Sequence, residues 1–167
     1  MKRLYLLRHA KSSWEDPALA DDDRPLAPRG HHTTKLMAEH LRRERIAPAL
    51  VLCSPARRTR ETLDGIAPAL GEVPVRVERE LYTASDGDLL DRLRAVPDTV
   101  QSVMLIGHNP AIQALALRLA RSGGELASIE RKYPTGALAT LAFKGSWRKL
   151  EADGAKLVGF VRPRDLG

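Results

Sequence analysis

Arg3-Leu4-Tyr5-Leu6-Leu7-Arg8-His9 opens the chain with an unbroken apolar run that ends on a cation and an imidazole. Continuous rather than alternating apolar residues mark a strand buried on both faces, as in a parallel sheet with helices above and below it. Two other runs read the same way. Leu50-Val51-Leu52 ends at Cys53-Ser54, and Ser102-Val103-Met104-Leu105-Ile106 ends at Gly107-His108. Helical patterns fill the intervals. Leu36, Met37, His40 and Leu41 share one face of a helix over about 30–44, and 57–70, 89–96 and 110–121 are further helical stretches. Later runs at 137–143 and 156–161 read as two strands spaced closely enough for a hairpin. The expected fold is a three-layer α/β/α sandwich with a mostly parallel central sheet and an antiparallel edge strand.

A chain of 167 residues with 43% hydrophobic content can bury a real core, and no linker, repeat or low-complexity tract divides it. One domain over 1–167 is expected. No apolar run approaches the ~18 residues of a membrane span, and the first residues lack a signal-peptide pattern. The single cysteine, Cys53, rules out an internal disulfide and suits a reducing cytoplasm. The net charge of +6 raises the question of nucleic acid, but the arginines are scattered and aromatics make up only 4% of the chain. Stacking platforms for single strands are therefore scarce, and a solvated basic surface with a taste for anions is the simpler reading.

Three strand ends carry chemistry. Past the first stand Arg8 and His9, followed by Lys11 and Ser12. Past the second, Ser54-Pro55 has the form of a helix start, with Ser54 as N-cap and Pro55 at the first helical position, which puts Arg58 in the first turn. Past the third, Asn109-Pro110 repeats the pattern directly after His108. Open α/β sheets bind ligands outside the carboxyl ends of their strands, and helix N-termini there favour anions. Two arginines, two histidines and two helix starts at one sheet edge describe a phosphate pocket. The polar stretch 17–28, with Asp21, Asp22 and Asp23 in succession, reads as a loop near that edge.

Leu7-Arg8-His9-Ala10 resembles the signature of the histidine phosphatase superfamily, which includes the cofactor-dependent phosphoglycerate mutases. The stretch Ser54-Pro55-Ala56-Arg57-Arg58-Thr59-Arg60-Glu61-Thr62 resembles that family's second motif, and Gly107-His108-Asn109 its third. Within the superfamily the chain is most similar to the small SixA-type phosphohistidine phosphatases. Lys11-Ser12-Ser13-Trp14, Asp23-Arg24-Pro25-Leu26, Glu80-Leu81-Tyr82, Asn109-Pro110 and Pro134-Thr135 carry that likeness, and the long insertions of the mutases are missing.

The resemblance implies catalysis by His9 as nucleophile with Arg8, Arg58 and His108 around the phosphoryl group. His108, if protonated, would add a third cationic donor, and Glu80 falls where many relatives keep a general acid. Ser12 and Asn109 are added as substrate contacts. It implies no metal and no cofactor. A neutral imidazole is a good nucleophile near neutral pH, and crowding by Arg8 and Arg58 keeps it neutral. Substrates would be a protein phosphohistidine or a small phosphorylated metabolite, handled by a monomer without nucleic acid or membrane.

Rival readings are weaker. A cysteine phosphatase would want an arginine six residues after Cys53, where Thr59 stands. His31, His32 and His40 form no metal-ligand spacing. A mutase would need the absent insertions, and a non-catalytic phosphoprotein-binding module would have no use for the intact set of Arg8, His9, Arg58 and His108.

Overall fold

The computed structural model describes residues 1–167. Its centre is a seven-stranded sheet in the order β3-β2-β4-β1-β6-β7-β5. β1 (Lys2–Arg8), β2 (Leu50–Cys53) and β4 (Ser102–Gly107) are the three apolar runs. They lie side by side and parallel, β1 and β2 each pairing with β4. β3 (Val75–Val77) adds a short parallel rim beyond β2. On the other side β6 (Leu138–Phe143) pairs antiparallel with both β1 and β7 (Ala155–Val161), and β5 (Ala120–Ser122) pairs parallel with β7. β6 is thus the strand that runs against the rest. It stands one hairpin in from the rim, because β7 turns back on it and gives its own outer edge to β5.

Alternation along the strands splits the core into two layers. Leu4 and Leu6 of β1 face one side with Leu52, Val103 and Leu105. Tyr5 and Leu7 face the other with Val51, Cys53, Met104 and Ile106. The first side is covered by α3 (Asp86–Arg94), α4 (Ala111–Leu119) and α5 (Leu126–Arg131), through Leu89, Leu93, Leu115 and Ile129. The second is covered by α1 (Pro28–Arg43) and α2 (Arg57–Leu70), through Met37, Leu41 and Ile66. Both faces being covered is the reason these strands carry no polar alternation. Each fully buried leucine contributes ~1.5–3 kcal/mol relative to exposure. This three-layer sandwich is the fold the sequence implied.

Candidate active site

His9, Ser54 and His108 each stand one residue past a strand end, on β1, β2 and β4, which are neighbours in the sheet. Adjacency along the chain thereby becomes adjacency at one edge. The His9 backbone is clamped from both sides: its N–H donates to the Gly107 carbonyl (3.1 Å), and its own carbonyl accepts from Gly136 N–H (2.8 Å). The next residue is tied to α2, since Ala10 N–H donates to Thr62 Oγ1 (3.0 Å) and that hydroxyl donates to the Arg58 carbonyl (2.7 Å).

The His9 ring is buried, and its Nδ1 lies 2.8 Å from the Ala10 carbonyl. A carbonyl can only accept, so Nδ1 carries the hydrogen and Nε2 keeps its lone pair. Burial above all pushes this imidazole down to about 3, with the Ala10 bond opposing and His108, Arg58 and Arg8 adding to the shift. The ring is neutral across the physiological range. The His108 ring lies 5.4 Å from it, centroid to centroid. Its Nε2 is 2.7 Å from Ser54 Oγ, and that oxygen also accepts from Ala56 N–H (3.4 Å). Ser54 Oγ and His108 Nε2 thus share one hydrogen bond, and the imidazole tautomer sets which of them donates.

Two buried side-chain atoms in the protein have no hydrogen-bond partner, Arg8 Nε and His108 Nδ1. Arg8 Nε is a donor, His108 Nδ1 donates or accepts according to its tautomer, and both belong to this edge. Buried polar atoms are almost always satisfied, so a pair left open in one place marks where a polar ligand sits. Arg8 is anchored by Nη1 to the Tyr133 carbonyl (2.9 Å), and burial and the neighbouring Arg58 charge both press on its guanidinium. Arg58, on the first turn of α2, is buried and bonded through both Nη atoms to one residue. Nη1 donates to the Asp21 carbonyl (2.7 Å) and Nη2 to Asp21 Oδ2 (2.9 Å). Tyr82 donates its hydroxyl to the same carboxylate, and Arg24 donates to its other oxygen (3.1 Å). These contacts, Tyr82 first, hold the Asp21 carboxyl down at about 2 against the pull of burial. An anion already lies on the Arg58 fork, in the manner a phosphoryl oxygen would.

The family pattern of the histidine phosphatase superfamily (branch 1) matches residues 4–92. The chain belongs to that superfamily. It is 42% identical over 164 residues to the uncharacterized Mycobacterium tuberculosis H37Rv protein Rv1276c, covering 95% of this chain and 100% of that one. It is 30% identical over 121 residues to Escherichia coli K12 phosphohistidine phosphatase SixA, covering 70% of this chain and 73% of that one. Among solved structures, a candidate phosphohistidine phosphatase SixA from Nakamurella multipartitia superposes with a TM-score of 0.86 at 32% identity, covering 97% and 96% of the two chains.

This histidine phosphatase, a hydrolase of phosphoryl groups, departs from the sequence reading at several residues. Ser54 is no N-cap: α2 begins at Arg57 with Ala56 as its cap residue, and the Ser54 hydroxyl is spent on His108. α4 likewise begins only after Pro110. His108 is not a cationic donor in the free protein, because burial and then Arg58 push it down to about 4. Glu80 sits on the exposed turn Arg79–Leu81 and takes part in no hydrogen bond or ion pair of the site. The Asn109 amide is used up within the protein, its oxygen accepting from Gln113 N–H (3.2 Å) and its nitrogen donating to the Tyr133 carbonyl (3.2 Å). The buried Ser12 hydroxyl accepts from Arg24 (2.7 Å) and so steadies the loop that brings Asp21 in. Asp21, Arg24, Tyr82 and Tyr133 were missed as site residues. The aspartate run and Glu80-Leu81-Tyr82 were visible, but nothing in them told which member would reach Arg58. Cys53 is buried, and its thiol is pushed up to about 12, which removes it as a nucleophile.

Proposed function

We propose that this enzyme is a phosphohistidine phosphatase working through a phosphorylated His9. One observation carries the reading: a neutral imidazole with a free Nε2 lies among Arg8, Arg58 and His108, and no protonated carboxyl group is hydrogen-bonded into that cluster to serve a leaving group. Asp21 is ionised and Glu80 lies outside the hydrogen-bonded cluster. An alkoxide needs such a donor. A phosphohistidine ring does not, since imidazole has a conjugate-acid pKa of ~6.5 and can take a proton from water on its far nitrogen before it leaves.

In the first step His9 Nε2 attacks phosphorus in line. The new N–P bond forms as the substrate's N–P bond breaks, and the electron pair departs with neutral imidazole. Arg8 and Arg58 bear the charge on the equatorial oxygens, and the orphaned His108 Nδ1, in the tautomer that carries its hydrogen there, adds a neutral donor. Asp21 must yield the Arg58 fork when phosphate arrives. Water then attacks phospho-His9, releasing phosphate and the free ring. Ser12 and Asn109 act as positioning residues. The likeness to the E. coli phosphohistidine phosphatase supports a protein substrate, and the lone buried Cys53 suits a cytoplasmic setting. No helix is long and apolar enough to cross a membrane.

The deciding test compares wild type with His9→Ala on a phosphohistidine peptide and on an aryl phosphate, in the presence of EDTA. Wild type is expected to turn over both and to trap a phosphoenzyme labile to acid and stable to base. The variant is expected to do neither. Near-normal turnover by His9→Ala would overturn the mechanism.

A further inference from the structure

Beside the site lies a second feature that removal of one phosphoryl group does not use. A cavity of about 620 Å³ opens between the end of β1, the start of α1, the end of α5 and the segment that follows β7. Its lining contains no carboxylate and no large apolar side chain. It contains Lys11, Arg29, Arg131, Lys132 and Arg164, five exposed cations that enter no ion pair. Arg162 is also there, paired with Asp165 (3.1 Å). Thr33, Ser128 and Thr135 add neutral hydroxyls between the charges. Arg8 lines this cavity and also flanks His9, so the cavity and the phosphoryl site share a wall.

Cations brought together from separate segments repel one another, and nothing within the cavity neutralises them. The volume lies in the ~300–1,000 Å³ range of small-molecule sites, and the walls are concave. A protein face would need apolar or aromatic anchors at its centre, and single-stranded nucleic acid would need rings to stack on; the lining has neither. What it fits is a compact ligand carrying several phosphates.

We infer that the cavity is a polyphosphate subsite, and that the enzyme also cleaves the terminal phosphoanhydride of small polyphosphorylated substrates. The terminal phosphoryl lies on His9 between Arg8 and Arg58. The remaining phosphates run past Arg8 and Lys11 toward Arg131 and Arg164. His9 Nε2 attacks the terminal phosphorus, an N–P bond forms, and the bond from phosphorus to the bridging oxygen breaks. The electron pair leaves with the shortened phosphate chain, a stable anion that needs no proton. Water then cleaves phospho-His9 to give inorganic phosphate, its released proton passing to solvent. The activity rests on the His9 chemistry proposed above and extends it to a substrate class that also needs no general acid.

The test is phosphate release from tripolyphosphate by the full chain, with phosphoramidate as a nitrogen–phosphorus substrate too small to span the phosphoryl site and the cavity together. Wild type should hydrolyse both. The double variant Arg131→Glu, Arg164→Glu should raise KM for tripolyphosphate about tenfold or more, the loss of ~1.4 kcal/mol of binding, and leave kcat/KM for phosphoramidate unchanged. Both positions are exposed, so the fold should survive, and the milder Arg131→Gln, Arg164→Gln pair gives a graded check. A nucleoside triphosphate run in parallel separates the two sources of the ligand: a matching KM assigns the cavity to phosphates in either setting, and a higher one assigns it to the inorganic chain. Tripolyphosphate left intact by a wild type that cleaves phosphoramidate would overturn this inference alone, as would an unmoved KM in the charge-reversed variant. Phosphoramidate left intact, with no phosphoenzyme, would instead strike the underlying reading of His9.

Discussion

The nucleophilic role proposed for His9 requires that Nε2 keep its lone pair, and the surroundings hold that state from two directions. The Ala10 carbonyl takes the hydrogen of Nδ1, and burial with nearby cations disfavours a second proton. Around it the two adjacent arginines of α2 have unlike fates. Arg58 is buried and aimed at the site, whereas Arg57 is exposed and paired with Glu61 (3.0 Å). Arg58→Ala should lower kcat about 10²- to 10³-fold, the usual cost of removing one transition-state donor. Arg57→Ala should leave it near wild type, and equal losses in steady-state assays would refute the assignment. Asp21 competes with phosphate for Arg58, so Asp21→Asn should lower the inhibition constant of inorganic phosphate several-fold. A weaker grip on phosphate in that variant would show that Asp21 organises the fork rather than blocking it.

At the scale of elements, the site depends on close approaches between segments that only glycine permits. Gly136 has φ +77°, and a Cβ there would lie 2.8 Å from Thr33 Cγ2 of α1. Its N–H holds the carbonyls of Arg8 and His9. Gly136→Ala should cost about 1–3 kcal/mol of stability from backbone strain, read as a lower urea midpoint. It should also reduce turnover, because the strand end carrying His9 loses its clamp. The long elements were legible in advance, each within a few residues of its expected bounds. β3, β5 and α5 were not. They have three, three and six residues, too few for periodicity to register, and β3 is exposed throughout. β3 and β5 exist because the sheet offers β2 and β7 as free edges for them to pair with, and α5 because Ile129 packs into the core.

For the whole molecule, burying two neutral histidines makes stability depend on pH. His9 and His108 ionise near 6.5 when unfolded but at about 3 and about 4 when folded. Below 6.5 the unfolded state binds protons that the native state refuses, so stability falls with acid. The slope is about 1.4 kcal/mol per pH unit for each ring, acting down to its folded value. Asp21 works in a lower window, since its stabilising contacts are lost only between 3.8 and about 2. Urea midpoints should therefore decline steadily from neutral pH to about pH 5, and a flat profile there would contradict the neutral buried pair.

The sequence by itself determined the layered fold and the meeting of Arg8, His9, Arg58 and His108. Each of those residues is covalently next to a strand end or a helix start, and buried strands declare themselves by local composition. What those groups face depends on contacts between segments far apart in the chain. Asp21 reaches Arg58 across 37 residues of chain, and Ser54 meets His108 across 54. The neutrality of His108, the exposure of Glu80 and the basic cavity likewise appear only after folding. Protonation depends on burial, and a pocket depends on surfaces from separate segments; neither is a property of any local stretch of residues.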